Sequence, residues 1–336
     1  MGSLAGRVAV VAGATRGAGR GIARMLGEAG ATVYCSGRSV RGRAATEGRA
    51  ETIEETAEMV TAAGGTGIAV RTDHSVAEEI EVLFDRVHRE QGCLDVLVND
   101  IWGGDELTEW QPFWTLDPKK GFEMLDRAVR THILTSRYGV PRMVERRAGL
   151  VVEITDGYVM GYRGTLFYDL AKMAAIRLAY DMALELEAFG VTALAVTPGF
   201  LRSEAMLDRF GVTEANWQDA CAKVPGFEAS ETPGYVGRAI AALAADPEVR
   251  RYAGRALASW TLARVYVFTD VDGRQPDWDA YFDGKVGAIL AQGRELSDDD
   301  RSWVDARYTQ LLLEPDRRED VARMASALGR PPRGTR

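Results

Sequence analysis

Short β-branched runs alternate with longer helix-like stretches along the first third of the chain. RVAVVAG at 7–13 precedes RGIARMLGEAG, ATVYCSG at 31–37 precedes AETIEETAEMVTAAGG, GIAVRTD at 67–73 precedes VAEEIEVLFDRVHREQG, and LDVLVND follows at 94–100. Further strands are predicted at LVVEITD (150–156) and VTALAVTPG (191–199), with a short one near ARVYVFTDV (263–271). Strands separated by helix-length segments imply crossover connections, hence a parallel sheet with helices on both faces. The expected fold is a single α/β domain, a Rossmann-like doubly wound parallel sheet over residues 1–283, followed by a charged, helical C-terminal extension over 284–336.

Two stretches break the periodicity. VRGRAATEGR at 40–49 has no apolar pattern and reads as a surface loop. Trp102 to Pro118 is irregular but carries Trp102, Trp110, Phe113 and Trp114. Aromatic residues on a loop after a strand line a pocket or fill a small core under the loop, and the pattern fits both. The tail reads as helical up to Leu328, with PPRGTR frayed.

Composition narrows the function. With 41 basic against 49 acidic residues the chain carries a net charge of -8, which argues against a nucleic-acid partner, since phosphate binding needs a dense basic face. Cys35, Cys93 and Cys221 are widely spaced and odd in number, so neither a disulfide framework nor a metal site is expected. No long uninterrupted apolar segment and no secretory leader pattern stand out, and a cytoplasmic protein without a membrane span is expected.

After the first strand comes AGATRGAGRG at 12–21, with Gly13, Gly17 and Gly19 ahead of a helix. Glycines there allow a tight turn and a close approach of backbone to a pyrophosphate at the positive end of the helix. The second strand ends in Gly37 and Arg38 where an acid would otherwise hold an adenosine ribose, and Arg16 lies within the turn. Two guanidiniums at the adenosine end favour a 2′-phosphate, so NADPH/NADP+ is the expected cofactor; the alternative is that both are solvated surface charges.

Taken in order, the glycine turn, Asp73, LVND at 97–100, Tyr168 with Lys172, and TPG at 197–199 resemble the short-chain dehydrogenase/reductase family over residues 7 to about 255. The segment from Ser230 extends the similarity, to mammalian members and their bacterial relatives, as far as about Asp283. The resemblance implies that Thr15 belongs to the cofactor turn, that Asp73 and the backbone at His74 meet the adenine, and that Asn99 steadies the central strand. It further implies that Pro198, Gly199 and Leu201 flank the nicotinamide, that Ser203 contacts the cofactor, and that the protein is a homodimer or homotetramer pairing through the Tyr-Lys helix and the one before it.

Tyr168 and Lys172 are one helical turn apart on one face. A nearby ammonium is expected to lower the phenol from its usual value near 10, so that Tyr168 gives a proton to a carbonyl oxygen while Lys172 also holds the nicotinamide ribose. Two positions depart from the family pattern. His132 stands where an Asn organises a proton relay, and reads equally as a relay member or a satisfied core histidine. At the end of VEITD the catalytic serine is replaced, with Asp156 at the hydroxyl's place or Thr155 if counted back from Tyr168.

Three outcomes stay open for that acid. An ionised Asp156 raises the tyrosine and suits a cationic substrate, a protonated one donates a hydrogen bond as serine would, or Thr155 is the working hydroxyl. The leading reading is an NADPH-dependent oxidoreductase reducing a carbonyl of a small, partly hydrophobic molecule, with Trp102, Trp110 and Trp114 in the pocket wall. The alternatives are a reductase of C=N or amine-bearing substrates and a non-catalytic dinucleotide-binding or assembly protein.

Overall fold

The computed structural model describes residues 3–46 and 48–330, so the PPRGTR terminus lies outside the described residues. Seven strands form one sheet: β1 Val8–Ala12, β2 Thr32–Gly37, β3 Thr66–Arg71, β4 Val96–Asn99, β5 Gly149–Ile154, β6 Val191–Thr197 and β7 Ala256–Ala258. Every neighbouring pair is parallel, in the order 3-2-1-4-5-6-7. The order reverses between β1 and β4, which opens a crevice at the carboxyl ends of those strands.

Twelve α-helices are described. They are α1 Gly17–Glu28, α2 Ile53–Ala62, α3 Ala77–Gln91, α4 Pro118–Leu125, α5 Thr131–Arg146, α6 Leu166–Leu186, α7 Glu204–Phe210, α8 Pro233–Ala245, α9 Ser259–Tyr266, α10 Trp278–Ala291, α11 Asp298–Leu311 and α12 Arg318–Ala327. Strand side chains alternate between two cores. Ala9, Val11, Val33 and Val98 pack under α1 and α8, whereas Val8, Val10, Tyr34 and Leu97 pack under α3 and α5. A turn of π-helix at Asp126–Arg130 joins α4 to α5, an irregularity that aims side chains at a site.

The last predicted strand is corrected. β7 lies earlier, and most of ARVYVFTDV is the end of α9 and the turn after it. Trp260 and Ala263 are buried while Arg264 and Val265 face out, the spacing of a helix. Val267 ends it with a φ of 54°, and Asp270 then turns in to accept from the Thr232 amide at 2.7 Å and hydroxyl at 2.5 Å, holding the start of α8.

The C-terminal helices share a core of their own around Phe282, Val304, Tyr308 and Leu311. The boundary expected after Asp283 falls inside α10, whose first residue, Trp278, packs against both this core and the main one. No helix among the described residues is long and apolar enough to cross a membrane.

Candidate active site

A cleft of about 1730 Å³ runs along the carboxyl ends of the strands. Pockets for drug-sized ligands are roughly 300–1,000 Å³, so this one has room for a dinucleotide and a second molecule beside it. Its floor at one end is the glycine turn. A Cβ on Gly13 would stand 2.2 Å from the Asp100 carbonyl oxygen, and one on Gly19 would stand 2.4 Å from the Gly13 oxygen, so both glycines let the turn close onto β4. Gly17, with φ of 57°, would place a Cβ 3.7 Å from Ser203 Cβ, an ordinary contact, so its left-handed backbone rather than space favours glycine; its N–H donates to Glu204 Oε2 at 2.8 Å.

At the adenosine end Thr15, Arg16, Arg38, Asp73 and His74 all line the cleft. Arg38 is exposed, while Arg16 donates to Thr46 Oγ1 at 3.0 Å and stands 4.0 Å from Glu51. The 40–49 loop, expected only as surface, thus borders the site and brings a third guanidinium, Arg49, which pairs with Glu51 and with Asp208 of α7. Asp73 accepts from the Ser75 amide at 2.9 Å and hydroxyl at 2.6 Å. The His74 ring is buried between Ser36 and Thr135 hydroxyls, and burial pushes it down to about 3, so it is neutral.

Gly19 and Asn99 stand behind the surface. Asn99 donates to Glu153 Oε1 at 2.7 Å and to Ser136 Oγ at 2.9 Å, tying β4 to β5 and α5. Glu153 in turn meets His132 Nδ1 at 2.5 Å, and His132 Nε2 donates to the Ile101 carbonyl at 3.0 Å. His132 is therefore a buried histidine with both nitrogens occupied, outside the cleft lining. Glu153, missed in the sequence, is the partner that explains it: a carboxylate inside an apolar strand was the available signal.

Tyr168 and Lys172 project from α6 into the other end of the cleft, with Asp156 and Thr155 at the tip of β5. Thr155 Oγ1 donates to the Lys172 carbonyl at 2.7 Å, which fixes β5 to α6 and turns that hydroxyl away from Tyr168. Asp156 is exposed, and the Tyr168 hydroxyl donates to its Oδ2 at 2.6 Å. The phenol is pushed well above its usual value, first by burial and then by the Asp156 charge and hydrogen bond. This reverses the sequence expectation: burial and Asp156 dominate the phenol, while the Lys172 ammonium sits over the Trp102 ring, 3.8 Å from its centroid, and 5.5 Å from the centroid of the Tyr168 ring. Burial lowers Lys172, against the pull of Asp156 and Asp100.

Asp100, unremarked in the sequence beyond its place in LVND, lines the same end; burial raises it to about 7 while Lys172 pulls it down. Trp102 and Trp110 flank the Tyr168 ring at centroid distances of 5.6 and 5.9 Å. Trp114 stands outside the cleft, 73% exposed and edge-on to Phe113: a short helical turn at Phe113–Thr115 carries it outward. Pro198, Gly199, Leu201 and Ser203 form the facing wall, and Ser203 Oγ also caps α7 by accepting from Met206 N–H at 3.3 Å.

The cradle fits a nicotinamide dinucleotide: a turn whose Gly13 and Gly19 leave no room for a Cβ, the start of α1 with its first amide on the Glu204 carboxylate and no side-chain cap from Arg16, arginines at one end and a lysine at the other.

A family model described as short chain dehydrogenase matches residues 7–211. Dehydrogenase/reductase SDR family member 1 of Mus musculus is 36% identical over 93% of this chain and 95% of its own length. The 3-oxoacyl-acyl-carrier-protein reductase FabG of Vibrio harveyi is 30% identical over 60% of this chain and 76% of its own. A crystal structure of a short chain dehydrogenase from Mycobacterium thermoresistibile superposes with a TM-score of 0.68 at 20% identity, covering 82% of this chain and 92% of that one, and so speaks for the fold. On these matches, the chain belongs to the short-chain dehydrogenase/reductase family.

Proposed function

We propose that the protein is an NADPH-dependent reductase of a carbonyl on a small, partly hydrophobic molecule. Its family consists of oxidoreductases that use a nicotinamide dinucleotide. The observation that carries the finer reading is that Tyr168 and Lys172, one turn apart on α6, both enter the cleft, the hydroxyl on Asp156 and the ammonium over the Trp102 ring, 5.5 Å from the centroid of the tyrosine ring. A reductase of 3-oxoacyl groups among the relatives is in keeping with a carbonyl substrate.

Bound in the cleft, the cofactor supplies the hydride. Tyr168 gives its proton to the carbonyl oxygen, Lys172 holds ribose hydroxyls and balances the phenolate left behind, and Trp102 and Trp110 keep water from the reacting face. Arg16 and Arg38 hold a 2′-phosphate. Fluorescence titration tests this: NADPH should bind tighter than NADH by about tenfold or more, roughly 1.4 kcal/mol. Tyr168→Phe should keep that binding and cost ~100-fold or more in turnover. Binding of neither nucleotide sinks the reading and leaves a non-catalytic member.

One observation favours a second reading. Asp156 accepts a hydrogen bond from the tyrosine hydroxyl and is exposed to the cleft, so a cationic group on the substrate, as in a C=N bond or an amine, has a carboxylate to meet. We also infer a homodimer or homotetramer through α5 and α6, whose Ile133, Leu170, Tyr180 and Leu184 side chains are exposed.

A further inference from the structure

The loop from Asp156 to Thr165 carries the acid that meets Tyr168, and it is gripped from two sides. Arg163 holds it from within, donating to the carbonyls of Asp156, Gly157, Val159 and Gly161 and pairing with Asp169 at 3.1 Å. The C-terminal helices hold it from without. The Tyr158 hydroxyl donates to Asp279 Oδ2 on α10, and the Met160 N–H donates to Glu314 Oε1 at 3.3 Å. Gly161 lies so close to α11 that a Cβ there would stand 2.4 Å from Gln310 Cα.

At the centre of the outer grip is Arg307 of α11, which is 3% exposed. It donates from Nη2 to Asp279 Oδ1 at 3.1 Å, from Nε to Asp283 Oδ1 at 2.8 Å and from Nη1 to Gln310 Oε1 at 3.1 Å. Asp279 is thus a shared joint: one oxygen takes Tyr158 and Trp260 Nε1, the other takes Arg307. A half-buried carboxylate stripped of its cation loses a charge-assisted partner and rearranges. Losing the guanidinium therefore frees Asp279, and Asp279 frees Tyr158, two residues from Asp156.

Building on the reductase reading, we propose that Arg307 is a positioning residue of the active site: through Asp279 it fixes the Tyr158–Gly161 turn, and so sets Asp156 against Tyr168. The C-terminal extension is then part of the active site, with Ser302, Asp305 and Thr309 of α11 on the substrate side of the cleft.

Hydrogen exchange by mass spectrometry on the full chain tests this in Arg307→Gln, Arg307→Lys and Tyr158→Phe, alongside NADPH titration. Residues 157–162 should exchange about tenfold faster or more in Arg307→Gln and Tyr158→Phe, with β1 and β4 unchanged. NADPH affinity should stay within about threefold, and Arg307→Lys should recover most of the protection because an ammonium still pairs with Asp279. Unchanged exchange of this loop in Tyr158→Phe overturns the proposal, even if Arg307→Gln loosens the C-terminal helices. So does equal loss in the Lys and Gln variants, which makes the arginine a general fold contact. Failure of the wild type to bind either nucleotide would remove the reductase reading instead, a result the exchange data do not depend on.

Discussion

At Tyr168 burial and a carboxylate both favour the neutral phenol. Reduction needs that protonated form, and activity is lost as pH rises through the tyrosine's value; a raised value therefore carries reduction to higher pH. Asp156→Asn removes the charge but keeps a hydrogen-bond partner. The alkaline limb of the reduction profile should then move down by about one to three pH units, while selectivity for amine-bearing over neutral ketones falls. An unmoved limb would mean that burial alone sets the phenol and that Asp156 has no part in its titration. Tyr168 and Lys172 were legible through their place in order among the glycine turn, LVND and TPG, since a Tyr and a Lys at helical spacing alone are ordinary surface residues. The choice between Thr155 and Asp156 was not, since both line the cleft and what separates them is a hydrogen bond: the Thr155 hydroxyl donates to the Lys172 carbonyl while Asp156 takes the Tyr168 hydroxyl.

Among the elements, the connection from β6 to α7 hangs on a buried acid. Glu231 Oε2 accepts from the Gly199 amide at 2.9 Å and from the Ser259 hydroxyl at 2.6 Å, while its backbone pairs with Leu201. Burial raises Glu231 from 4.5 to about 8, with Asp270 adding to the rise and Arg202 opposing it. A raised acid binds its proton more tightly folded than unfolded, so its stabilising contribution is full below pH 4.5 and is lost as pH climbs to about 8. Half of that shift is worth about 2 kcal/mol, or roughly 3 °C in Tm for a chain of this size. Tm should fall across this window in the wild type and fall less in Glu231→Gln; parallel curves would assign the pH dependence to other groups, Asp100 first. The six longer strands were legible from their apolar runs because the sheet is covered on both faces. β7 was not, being three residues long and leading straight into a helix.

Across the whole molecule, the sequence implied a charged appendage after residue 283, and the structure has a second small core that closes the substrate side of the cleft. Its pairings join residues far apart in the chain, such as Tyr158 with Asp279, and no local pattern announces them. The outer face of α5 and α6 raises the opposite question, because apolar side chains remain exposed there. Leu184 is 59% and Ile133 48% exposed, and Tyr180, one turn before Leu184 on the same helix, is 43% exposed. Scattered exposed apolar residues are ordinary, but a row along two neighbouring helices is a surface a second copy of the chain can cover. A symmetric pairing would bring each such residue near its counterpart, so one substitution acts twice. Leu184→Glu should therefore shift light scattering from a dimer or tetramer toward the monomer while NADPH affinity stays within about threefold, the two α6 copies now repelling each other across the axis. A wild type that is already monomeric at micromolar concentration would show that this face stays in water, leaving each chain to close its own cleft with its own C-terminal helices.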